Sequence, residues 1–76
     1  MNFNLELKRF IKDHRSIEVG SDDSLLDHGI LDSMAIMELI MFIEDRTGLQ
    51  VPGDEVTLEN FETVSRIEKL LHRLQT

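Results

Sequence analysis

The chain has no cysteine, no tryptophan and no tyrosine, and only one proline and four glycines in 76 residues. Without cysteine it has no disulfide, no thiolate metal site and no thiol nucleophile of its own. With four phenylalanines as its only large aromatics, its core has to rest on Leu, Ile, Val, Met and Phe. No apolar run reaches the length of a membrane span. Residues Met1 to Glu6 lack the basic, apolar and small-residue order of a signal peptide, so the cytoplasm is the expected compartment. Cationic residues are also scarce. Eight Lys and Arg stand against fifteen Asp and Glu, a net charge of −7, which disfavours nucleic acid and anionic membranes and favours partners with basic patches.

What is present describes one small folded domain, expected to span residues 1–76. Hydrophobic residues at 41% and charged residues at 30% are the proportions of a globular chain. A chain this short buries only about 60% of the surface its unfolded form exposes, so a modest stability and a monomer are expected.

Glycine and proline divide the sequence into helical segments. Phe3, Leu7, Phe10 and Ile11 fall on one helical face, with Asn2 or Asn4 able to cap it. Ile17 and Val19 alternate briefly, as in a short strand without a partner, before the turn-forming cluster 20–24. Leu25 and Leu26 pin a long loop that runs to Asp32 and contains His28, read as a surface or turn residue. A helix follows from Ser33 to Thr47. Its Ile36, Leu39, Ile40, Ile43 and Thr47 face one way and Met34, Met37, Glu38, Met41 and Asp45 the other. The first face is the natural core. The second leaves a methionine stripe edged by acids for partners, because methionine adapts to varied surfaces. Gly48 ends the helix and Pro52 bars helix through the connector. Thr57 caps a turn carrying Leu58 and Phe61, and Thr63 caps a last helix with Val64, Ile67, Leu71 and Leu74 inward. The fold expected is all-α, a small three-to-four-helix bundle with a long first loop.

Known catalytic patterns fit poorly. Asp22-Asp23 and Asp54-Glu55 lack the alternation of a calcium loop, and the three histidines are too dispersed for zinc. A Ser-His-Asp set from Ser33, His28 and Asp32 has adjacency but no triad geometry or oxyanion donors. The chain is expected not to be an enzyme and to hold no metal.

Asp32-Ser33-Met34 at the helix start is the sharpest feature. The first N–H groups of a helix lack intrahelical acceptors and its dipole is positive there, so an anion attached to Ser33 would be well placed. By itself this is an ordinary cap. With Glu38-Leu39, Gly48, Val51-Pro52 and Thr63-Val64 at their spacings, residues 25 to 74 resemble the acyl carrier protein family. That resemblance implies 4′-phosphopantetheine on Ser33, with Asp32 supporting recognition by the phosphopantetheinyl transferase or its metal. The arm's thiol would replace the cysteine the chain lacks and hold an acyl or aminoacyl group as a thioester. The implied partners are that transferase, an activating ligase and downstream acyl-transferring enzymes. They would read Ile30, Leu31, Met34, Met37, Glu38, Met41 and Asp45. Ile30-Leu31 replaces the paired glycines typical of peptidyl carriers, and Met34-Ala35-Ile36 departs from the fatty-acid pattern. The phrase Gly29 to Met34 is similar to free-standing carriers, including the D-alanyl type, so a small cargo is expected. An unmodified acidic adaptor, binding a partner helix through the methionine stripe, is the alternative.

Overall fold

The computed structural model describes residues 3–27 and 29–75. Among them lie three α-helices, α1 (Asn4–Arg15), α2 (Ser33–Thr47) and α3 (Val64–Gln75), with one turn of 3₁₀ helix at Gly53–Glu55. No strand forms among the described residues, and Ile17 and Val19 lie in irregular backbone. None of these helices is long and apolar enough to cross a membrane.

Each helix contributes the stripe that its periodicity specifies. Leu7, Phe10 and Ile11 of α1 meet Leu39, Ile40 and Ile43 of α2 and Val64, Ile67, Leu70 and Leu71 of α3 in one buried cluster. Phe61, just before α3, is fully enclosed with them. The expected inward set needs small changes. Ala35 is buried whereas Ile36 is half-buried, and Leu70 joins the α3 stripe while Leu74 sits at its edge. Ala35 lies in the first turn of α2 and is buried in the core cluster.

Helix ends follow local chemistry. Asp32 caps α2, and its Oδ1 accepts from the Ala35 N–H at 2.8 Å. Gly48 closes the helix at φ 73°, a conformation costly for any residue with a Cβ. Thr63 Oγ1 accepts from the Arg66 N–H at the start of α3. The cap expected for α1 differs. Phe3 occupies the position without a side-chain bond, and Asn4 instead donates to Ser21 Oγ and Glu68 Oε1, tying α1 to the loop and to α3. Asn2 and His28, also singled out above, lie outside the described residues. Pro52 immediately precedes the 3₁₀ turn, where its missing N–H breaks no bond. Thr57 Oγ1 accepts from the Asn60 N–H, while Leu58 of that turn remains exposed.

The long loop is held by backbone bonds. Leu25 N–H donates to the Glu62 carbonyl at 2.7 Å, and Leu31 N–H to the Leu25 carbonyl at 2.8 Å. Leu25, Ile30 and Leu31 are buried. Ile30 and Leu31 were expected at the rim of a partner surface, and this burial corrects that expectation. A loop that must return to α2 without regular structure needs apolar anchors, and these two residues supply them.

Candidate functional site

Ser33 is the first residue of α2, directly after the capping Asp32, and it is exposed. Of the first four N–H groups of α2, Ala35 bonds the Asp32 carboxylate and Ile36 the Asp32 carbonyl. The Ser33 and Met34 N–H groups have no acceptor among the described residues, so they remain open to an anion.

Asp32 places a negative charge beside that position. Its other oxygen, Oδ2, lies 3.0 Å from Arg15 at the end of α1. The Ala35 N–H, then Arg15, hold the Asp32 carboxyl below its ordinary pKa. The sequence suggested two roles for Asp32, helix cap or recognition. The geometry makes it the cap and also joins α1 to α2 through Arg15. An exposed hydroxyl, two free N–H donors and a carboxylate already compensated by a guanidinium suit a phosphodiester at Ser33.

Down the helix, the two faces separate as the periodicity requires. Met34, Met37 and Met41 are 72%, 59% and 67% exposed, with Glu38 and Asp45 exposed beside them, whereas Ile40 is only 8% exposed. The exposed stripe is thus a continuous apolar strip with acidic borders.

Between the end of α1 and the start of α2 lies a cleft of about 180 Å³. Asp32 and Met34, the residues on either side of Ser33, both line it. Phe10, Leu31 and Ala35 form buried parts of its wall, and His14, Arg15 and Glu38 bring the polar groups. The His14 ring stacks on Phe10 with centroids 3.9 Å apart. His14 and Arg15 were missed in the sequence. They lie far from the helix-start motif, and only the α1–α2 packing brings them to it. No group of three or more His, Cys, Asp or Glu able to hold a metal occurs among the described residues.

The bundle exposes a serine at the start of its middle helix, beside open N–H donors. The chain matches the phosphopantetheine attachment site family over residues 7–71 and belongs to it. That family is defined by a site for the covalent attachment of 4′-phosphopantetheine. The D-alanyl carrier protein of Streptococcus suis is 41% identical over 46 residues, covering 60% of this chain and 58% of that protein. The D-alanyl carrier protein of Streptococcus sanguinis is 39% identical over 46 residues, with the same coverage. The chain thus spans 58% of the length of these curated relatives. The solution structure of a holo acyl carrier protein from Nitrosomonas europaea superimposes with a TM-score of 0.79, covering both chains completely at 24% identity. That likeness concerns the fold.

Proposed function

We propose that Ser33 is the attachment residue, and that residues 1–76 act as one carrier domain presenting a small acyl or aminoacyl group. The observation that carries this reading is an exposed serine at the first position of α2, with unbonded N–H groups at the helix end, inside the matched region. The prosthetic group supplies a thiol, which holds the cargo as a thioester. The chain's own residues do the rest. Ser33 Oγ loses its proton and attacks the pantetheine-side phosphorus of coenzyme A, forming the phosphodiester as the pyrophosphate bond breaks and adenosine 3′,5′-bisphosphate leaves. The N–H groups of Ser33 and Met34 face the resulting anion, and Arg15 offsets the nearby Asp32 charge.

The partner surface in this reading is Met34, Met37 and Met41 with Glu38 and Asp45. Flexible apolar side chains can meet several partners, and the acidic border favours those with basic patches. The partners are a phosphopantetheinyl transferase, an activating ligase and acyl-transferring enzymes. The D-alanyl carrier relatives support an aminoacyl cargo.

The test is intact mass after incubation with coenzyme A and a broad-specificity phosphopantetheinyl transferase, followed by peptide mapping. The mass should rise by one phosphopantetheine located on Ser33, and Ser33→Ala should gain nothing. No gain on folded protein, with a known carrier converting alongside, refutes the assignment and returns the unmodified adaptor.

A further inference from the structure

A phosphodiester on Ser33 adds a negative charge to a stretch of chain that is already acidic. Residues 18–45 hold eight Asp and Glu and no Lys or Arg. Asp32 directly precedes Ser33, and Glu38 follows about one and a half turns along α2. The open N–H groups at the start of α2 carry only partial positive charge. A full cation for that anion comes from another element, and the packing of α1 against α2 brings Arg15. Arg46 belongs to the last turn of α2, at the opposite end from Ser33, and pairs with Glu6.

Arg15 is the last residue of α1 and shares the wall of the α1–α2 cleft with Asp32 and Met34, the two neighbours of Ser33. Its Nη2 lies 3.0 Å from Asp32 Oδ2. Asp32 meets it through that one oxygen, while Oδ1 accepts from the Ala35 N–H at 2.8 Å. A guanidinium presents five N–H donors in a rigid planar fork. No acceptor other than Asp32 pairs with Arg15 among the described residues, so part of the fork is unused. The side chain is also held in place. At 34% exposure it is the least exposed cationic partner in the ion pairs of the described residues, so a second partner costs it little further freedom.

We infer that Arg15 bridges the Asp32 carboxylate and the phosphodiester on Ser33, fixing the root of the prosthetic arm at the junction of α1 and α2. The inference rests on Ser33 carrying the arm and adds the residue that binds its phosphate. Ser33 is one residue, about 3.8 Å along the backbone, from the carboxylate that Arg15 already meets. A guanidinium holds two anions through different edges of its plane, whereas an ammonium acts as a single point charge. Without Arg15 the new anion faces the carboxylates of its own helix end. With Arg15 it completes a contact that ties α2 to α1.

The test compares apo and holo forms of wild type, Arg15→Gln and Arg15→Lys under reducing conditions, with loading verified by intact mass. Thermal unfolding at low ionic strength is the first readout. Arg15→Gln should lower the melting temperature by about 2–6 °C more in the holo form than in the apo form, the effect of one half-exposed ion pair in a chain this small. Added salt should shrink that excess. Arg15→Lys, with the charge but not the fork, should show a smaller excess. A merely structural Arg15 would lower both forms alike. The second readout needs no variant: the Arg15 Nε–H resonance of wild type should shift on conversion from apo to holo. Where Arg15→Gln does not fold or load, Arg15→Lys and this wild-type resonance decide. Equal losses in the apo and holo forms, or an Arg15 resonance unmoved by verified loading, overturn the inference and leave Ser33 as the attachment residue. Failure of wild type to load overturns both.

Discussion

Placing a glutamate at Met37 or at Ile40 tests the division of α2 into two faces most directly. The two positions are less than one turn apart, with similar helix propensities, so the same substitution isolates their surroundings. Met37 is 59% exposed and Ile40 is 8% exposed. Fully burying either side chain is worth about 1.5–3 kcal/mol, so the covered part of Met37 contributes on the order of 1 kcal/mol. The new carboxylate at 37 would reach water. Its neighbours three and four residues away, Ser33, Met34, Ile40 and Met41, carry no charge to repel it. At Ile40 nearly all of the burial is lost and a carboxylate must enter the cluster unpaired or protonated, a loss of about 4 kcal/mol or more.

A chain of 76 residues has a total stability of roughly 4–11 kcal/mol, so the two outcomes differ in kind. Thermal unfolding followed by circular dichroism should show Met37→Glu melting about 4–8 °C lower for each kcal/mol lost. Ile40→Glu should lose about four times as much, enough to unfold a chain at the low end of that range at 25 °C. In a coupled assay with partner enzymes, folded Met37→Glu should still accept the prosthetic group and be turned over poorly afterwards. Equal destabilisation by the two substitutions would refute the assignment of the faces. Full partner turnover by Met37→Glu would refute the stripe as a docking surface.

Ser33→Ala should change stability by less than about 0.5 kcal/mol in a denaturant titration, because Asp32 makes the cap and Ser33 is exposed. Gly48→Ala should lose about 1–2 kcal/mol by the same measurement, since φ at Gly48 is 73°. The Asp32 carboxyl is held below its ordinary value by the Ala35 N–H and by Arg15, so its stabilisation is fully present above the unfolded pKa near 3.8 and lost as pH falls through the lower folded value. Melting temperatures of wild type and Asp32→Asn should therefore differ at neutral pH and converge in acid, and a constant difference across that range would refute the ionised cap.

Periodicity revealed the helices because each carries a stripe that only one packing can bury. Leu7, Phe10 and Ile11, or Val64 and Ile67, are inward for the reason their spacing suggests. The methionine stripe was legible by the same argument, read from the opposite side. Loop residues obey no period. Ile30 and Leu31 precede the motif and look like an exposed approach to it, yet the backbone bonds of Leu25 and Leu31 fold that stretch inward. The helix-start chemistry was only partly visible, since an aspartate followed by serine leaves open which of them caps. The Ala35 N–H decides for Asp32 and frees the Ser33 hydroxyl.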